Sequence, residues 1–321
     1  MSSKSIASDR GGQRAYGEFC AAHGVPLSFQ PWWWDAVCGP EGWGAACLAE
    51  SPGGVWPWFR ARRWGLPVVQ LPPYTTYAGP WLASPPAHWP SWKRLQWERH
   101  ALFSLIEQLP SAFFFQQNSW PGFTCGLPLL WRGFRLTTRY TYEMPIGQSL
   151  AEQYAALKHT LRTELRHAEQ TVEVVPDLEA KRLFVLYASS LRRRGLQRPW
   201  APFARLVAAL SERQQGMGWV SVCRRSGADV AGLLLAFDES RAAVVVAGRR
   251  YDTDHPGALH RLYWEAISFC AARGLLLDFE GSMLPGVERV FRAFGAQPKP
   301  YLQVRRWSFL PTKTFGRRAG K

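Results

Sequence analysis

Asp278 and Glu280 stand at the end of a short apolar run, Leu275 to Phe279, where a strand would hand polar side chains to a ligand. A carboxylate placed there can act as a general base, and a tyrosine hydroxyl can return the proton. Tyr251, Tyr263 and Tyr301 are candidates for that second role. Upstream, Val245-Val246-Ala247-Gly248-Arg249 closes a β-branched run and leads into His255-Pro-Gly257-Ala258. The main chain of a strand can hydrogen-bond an extended ligand arm. A glycine loop that opens a helix can take phosphates, because the first-turn N–H groups are unsatisfied and the macrodipole is positive there. Val245, Val246, Ala247, Gly248, Arg249, His255, Gly257 and Ala258 are therefore candidate donor-binding residues.

The elements that must hold these residues are legible around them. Ala243 to Gly248 reads as a buried strand bounded by glycine. Thr253 and Asp254 offer N-caps for a helix from Leu259 to Arg273, with apolar residues at 259, 262, 263, 266, 269 and 270 and Gly274 at its C′ position. Leu275 to Phe279 is the next strand, so the unit is a strand–helix–strand crossover. A second polar strand end lies earlier. Phe113 to Asn118 turns from apolar to Gln116, Gln117 and Asn118, and the Pro72–Pro80 loop concentrates Tyr74, Thr75 and Tyr77. These six are candidate acceptor-binding residues, expected to border one cleft with Asp278 and Glu280. Leu150 to Gln170 reads as one helix, on which Lys158, Arg162 and Arg166 recur every four residues as a positive stripe. Arg162 and Arg166 join the donor candidates.

Composition sets bounds. The chain has 321 residues, 47% of them hydrophobic, and a formal charge of +15. Residues 139–321 carry 28 Lys+Arg against 17 Asp+Glu, a surplus of 11, while residues 1–138 carry 11 against 7. Of the 17 tryptophans, 13 precede residue 139. This shift predicts a boundary near Arg139, and the basic second part favours a polyanionic partner. The organisation expected is a disordered stretch over 1–14, one domain over 15–138, a second over 139–310 and a basic tail over 311–321. The six cysteines show no zinc spacing, so no metal is expected, and reduced thiols point to the cytoplasm. No run reaches the eighteen or so apolar residues of a membrane helix, which leaves a soluble or peripheral protein. Nothing matches a Walker loop, a dinucleotide fingerprint or a hydrolase elbow.

Leu277-Asp-Phe-Glu-Gly-Ser-Met-Leu-Pro-Gly-Val-Glu-Arg-Val-Phe-Arg-Ala-Phe-Gly-Ala296, followed by Pro300-Tyr-Leu-Gln303, resembles the end of a GNAT-superfamily acyltransferase domain. More narrowly, Arg139-Tyr-Thr-Tyr142, Leu161 to Ala168 and Leu71 to Trp81 resemble the tandem-domain group that contains the Fem-like peptidoglycan-bridge aminoacyltransferases. The resemblance implies an α/β fold of tandem GNAT-like domains, the first on the acceptor side and the second on the donor side. It also implies transfer of an acyl group from an acyl-CoA, such as acetyl-CoA, to an amine on a cell-envelope or polysaccharide precursor. Its alternative is aminoacyl transfer from a tRNA, although no helical-hairpin insertion of the Fem-like kind is visible. A third reading is a non-catalytic RNA- or envelope-binding protein on the same scaffold.

Overall fold

The computed structural model describes residues 10–145, 147–252 and 255–308. The chain divides into two compact units, one formed by residues 1–139 with 300–321 and the other by residues 140–299. The first thus takes back a C-terminal segment that the sequence assigns to the second domain. Residues 1–9 and the whole basic tail lie outside the described residues, but Arg10 to Arg14, expected to be disordered, already belong to a helix.

In the first unit, α1 (Arg10–His23) and α2 (Pro31–Cys38) precede β1 (Trp43–Leu48), β2 (Gly54–Arg63), β3 (Leu66–Gln70) and the short β4 (Trp81–Leu82). Pro31 sits in the first turn of α2, where its missing N–H costs nothing. Of the three adjacent tryptophans, Trp33 and Trp34 are buried. The chain continues through α3 (Ser91–Glu107), β5 (Phe114–Asn118) and α4 (Leu127–Trp131). β1, β2 and β3 form an antiparallel meander, and β5 joins β3 in parallel after the α3 crossover.

The boundary falls within β6 (Arg135–Glu143), after which the second unit runs through α5 (Leu150–Ala156), α6 (His159–Thr171), β7 (Val172–Pro176), α7 (Ala180–Arg192) and α8 (Trp200–Glu212). It continues with β8 (Gly216–Cys223), β9 (Asp229–Phe237), β10 (Arg241–Arg249), α9 (Ala258–Arg273), β11 (Leu276–Asp278) and α10 (Pro285–Ala293). Its strands run in the order β6-β11-β10-β9-β8-β7. β8, β9 and β10 again form an antiparallel meander, and β11 joins β10 in parallel after the α9 crossover. β12 (Gln297–Trp307) then lies antiparallel to β5 in the first unit, as β6 lies antiparallel to β11 in the second. Both units are mixed α/β, with one meander-and-crossover plan.

The predicted single helix over 150–170 is two helices. Leu157 and Lys158 are extended, at φ −59, ψ 144 and φ −54, ψ 135, and the Lys158 N–H donates to the Ala293 carbonyl. No Pro or Gly marks the break. It lets both Leu157 and Leu161 enter the core, which one continuous helix face would also permit by spacing, so periodicity alone does not reveal it. Lys158 therefore leaves the expected stripe.

α7 and α9 cover opposite faces of the second sheet. Gly232 and Gly248 are cross-strand partners on β9 and β10. A Cβ on Gly232 would lie 2.9 Å from Leu186, and one on Gly248 would lie 2.5 Å from the Tyr187 Cα, so α7 rests directly on the main chain there. The alternate residues Leu233 and Leu235 pack instead with Leu262 and Ala266 of α9. The Ser221 hydroxyl donates to the Ala258 carbonyl at 3.0 Å and ties the start of α9 to β8.

Candidate functional site

Strand β10 is irregular where it matters. Its register against β9 shifts between Val244 and Val246, a β-bulge at Val245. Its parallel pairing with β11 covers only Arg241↔Leu276, Ala242↔Leu277 and Ala243↔Asp278. Among the described residues, the β11 side of β10 has no strand partner from Val244 to Arg249, while the chain after Asp278 turns away. A cleft of about 890 Å³ opens at this end of the strand. Ala247 and Arg249 form its floor, and the end of α7, the start of α9 and the Gly281–Leu284 loop with α10 form its walls.

Gly257 is the N-terminal boundary residue of α9, at φ 83, ψ −10, and among the described residues no side chain caps the helix. Thr253 and Asp254, expected as caps, lie outside the described residues. Gly257 is required twice: its positive φ favours glycine, and a Cβ would sit 2.6 Å from the Glu164 carbonyl oxygen of α6. The His255 Nδ1 is buried without a hydrogen-bond partner among the described residues.

The titratable groups of the cleft form two sets. At the start of α9 the His260 Nδ1 lies 2.6 Å from a Glu164 carboxylate oxygen. At the end of α7, Arg193 and Arg249 both lie over the Tyr251 ring, 4.4 and 4.5 Å from its centroid. The Arg249 N–H donates to the Ser190 hydroxyl at 2.8 Å. Burial pushes the Tyr251 phenol up, but hydrogen bonds from Arg249 and Ser190 and the charges of Arg249 and Arg193 outweigh it, so its pKa lies below the ordinary phenol value. Tyr263, deeper in the same cleft, is shifted the other way, mainly by burial. Tyr187 is raised by burial as well, and feels the charge of Glu280.

Glu280 has φ 53, which a residue with a Cβ rarely adopts. Its N–H donates to the Asp278 carboxylate at 2.7 Å. Asp278 itself is buried: it accepts from the Thr141 hydroxyl, lies 3.7 Å from Arg241, and is absent from the cleft lining. It thus holds the turn of Glu280, which is likewise absent from the cleft lining, although the next two residues, Gly281 and Ser282, belong to it. Desolvation raises the Asp278 pKa, against the hydrogen bonds and Arg241 that lower it. Between the ordinary carboxylate value and this raised one, the folded chain keeps a proton the unfolded chain has lost. Stability contributed by Asp278 is therefore fully present at acid pH and falls as pH rises through that window. Asp278→Asn is expected to flatten that part of the stability profile, as urea unfolding from pH 4 to 7 would read. An unchanged slope would place the titration on another group.

The other expected residues fall elsewhere. Arg162 and Arg166 of α6 do not line the cleft. Tyr301 is buried in the core of the first unit against Tyr77, with ring centroids 5.3 Å apart. In that same unit Thr75 accepts from the Trp33 indole at 2.9 Å, and Tyr74 is buried at φ 59. Gln117 is fully buried, accepting from the Trp56 indole at 2.5 Å and donating to the Pro57 carbonyl at 3.0 Å. Asn118 donates to the Thr76 carbonyl at 2.9 Å and accepts from Gln303 at 3.2 Å. Gln116 pairs with Arg305 across β5 and β12. Sequence reasoning missed Glu164 with His260, and Arg193 and Arg194 as cleft residues. The first pair is 96 positions apart, so no local spacing signals it. The arginines belong to a run, Arg192-Arg-Arg194, at the end of a helix, where the dipole alone accounts for cations.

Among the described residues no His, Cys, Asp and Glu are grouped to hold a metal ion, and no helix is long and apolar enough to cross a membrane. Residues 155–289 match the acetyltransferase (GNAT) domain family. No curated protein sequence matches the chain. Among solved structures it is similar to FemX, with TM-score 0.63 and 14% identity over 90% of this chain and 95% of that one. It is also similar to L-PGS from Bacillus licheniformis, with TM-score 0.53 and 11% identity over 98% and 100% of the two chains. A Bacteroides thetaiotaomicron protein of unknown function gives TM-score 0.53 and 12% identity over 92% of each chain. At such identities the likeness speaks for the fold.

Proposed function

With residues 155–289 a GNAT-type acetyltransferase domain, we propose that the protein is an N-acyltransferase moving an acyl group from an acyl-CoA, such as acetyl-CoA, to an amine on a cell-envelope or polysaccharide precursor. The observation that supports this most is the flank of β10 from Val244 to Arg249, which among the described residues has no strand partner and ends beside a helix N-terminus without a side-chain cap. An extended pantetheine-like arm can add to such a flank as a strand would, and its phosphates suit the Gly257–Ala258 turn and the unpartnered His255 nitrogen.

The chemistry needs few groups. The amine nitrogen attacks the acyl carbonyl, the C–N bond forms, the C–S bond breaks, the nitrogen loses a proton and the thiolate gains one. Glu280 is the base for the first proton, held in place by Asp278. Tyr251 is the acid for the second. Its lowered pKa moves it toward that of a thiol, about 8.5, which favours proton transfer between them. The rest of the rate comes from positioning.

The net charge of +15 supports a second reading, aminoacyl transfer from a tRNA. Coenzyme A separates the two. On the first reading it raises the melting temperature, and tRNA binds weakly or not at all. On the second, tRNA affinity falls steeply with salt, and replacing Arg162 and Arg166 with Gln lowers that slope by about 0.7–0.9 per arginine. Strong salt-sensitive tRNA binding without protection by coenzyme A overturns the acyl-CoA reading.

A further inference from the structure

Three guanidinium groups, from Arg193, Arg194 and Arg249, line one end of the cleft. The buried or half-buried arginines Arg182, Arg241 and Arg261 of this unit are matched, with Asp177 and Asp229, with Glu143 and with Glu265. Among the described residues none of the three cleft arginines forms an ion pair. A helix C-terminus accounts for one cation beside α7, since the dipole is negative there. It does not account for two guanidinium groups over a single phenol ring, each within 4.5 Å of its centroid, where like charges repel. Burial raises the Tyr251 phenol, and hydrogen bonds from Arg249 and Ser190, followed by the charges of Arg249 and Arg193, lower it. Such a cluster is completed by an anion that accepts several N–H groups at once.

The sheet decides which substrate brings it. Arg193 and Arg194 follow α7, on one face, whereas the phosphate turn proposed for the donor opens α9, on the other. The donor's phosphates and this cluster therefore flank β10 from opposite faces. The geometry points to an oxyanion subsite for the acceptor: the amine substrate carries a phosphate or carboxylate, bound by Arg193, Arg194 and Arg249, that directs its amino group to the end of β10. This rests on the acyl-transfer reading for which substrate is bound there, but the anion site stands on the cluster itself.

The test uses the full chain, inorganic pyrophosphate as probe, and the Arg193→Gln/Arg194→Gln double variant, whose exposed side chains follow the last turn of α7. In protein saturated with coenzyme A, pyrophosphate is expected to raise the melting temperature further, and the double variant to need roughly tenfold more of it or greater. Protection by coenzyme A should be the same in both proteins. Glucosamine 6-phosphate should then be acetylated in preference to glucosamine, and lysine in preference to cadaverine, with both preferences lost in the variant. Equal pyrophosphate response in the two proteins overturns the subsite. Loss of coenzyme A protection in the variant overturns its assignment to the acceptor. If coenzyme A protects neither protein, the acyl-CoA reading fails by itself, and the difference between the two proteins in pyrophosphate alone still decides the anion site.

Discussion

Glu280→Gln is expected to lower kcat by about 10²-fold or more and to leave the acceptor's KM within about twofold, the signature of a lost proton-transfer group. The reason lies in the backbone as much as in the carboxylate. Glu280 holds φ 53, a conformation that costs roughly 1–2 kcal/mol for a residue with a Cβ, and its N–H is pinned by the buried Asp278. Such strain persists where a side chain must be aimed. Glu280→Gly should therefore separate stability from activity, raising the melting temperature by a few degrees while abolishing turnover. Gln keeps the strain and Gly releases it, yet both remove the base. Steady-state kinetics with thermal melts of both variants check this. A Gln variant with parent kcat would remove Glu280 from the chemistry.

Gly257→Val is expected to cost about 2–5 kcal/mol, combining the left-handed backbone with overpacking against α6. The second unit should then melt roughly 5–15 °C lower. Any substitution there pushes on the Glu164 carbonyl 2.6 Å away, so even a glutamate meant to repel phosphate at this position would report packing first. Leu259, which lines the cleft one residue into α9, is the better place for a charge: Leu259→Glu should weaken an anionic donor. Retention of the parent melting temperature by Gly257→Val would contradict the close approach of α6.

Much of the fold was legible because glycine and proline punctuate it. Pro31 opens α2, Gly274 ends α9 at φ 66, and the β1–β2 hairpin brackets its proline–glycine turn. The exceptions share one cause, tertiary contacts that leave no local signal. The Leu157–Lys158 break depends on the Ala293 carbonyl, and the second unit gives up the end of the chain to pair with β5. In the cleft, Arg249, Tyr251 and Gly257 were found from a strand end and a helix start, which are local features. The apolar-to-polar switch at Gln116–Asn118 misled in emphasis. Burial turned Gln117 and Asn118 toward Trp56, Thr76 and Gln303, where unsatisfied polar groups would be costly.

Amide hydrogen exchange with and without coenzyme A tests the central claim, that the end of β10 and the start of α9 hold the acyl donor. The expected result is slower exchange over 244–249 and 257–261, little change over 66–70 and 114–118 in the first unit, and the same pattern, weakened, in Leu259→Glu. Protection confined to the first unit, or none in either segment at saturating coenzyme A, would contradict it.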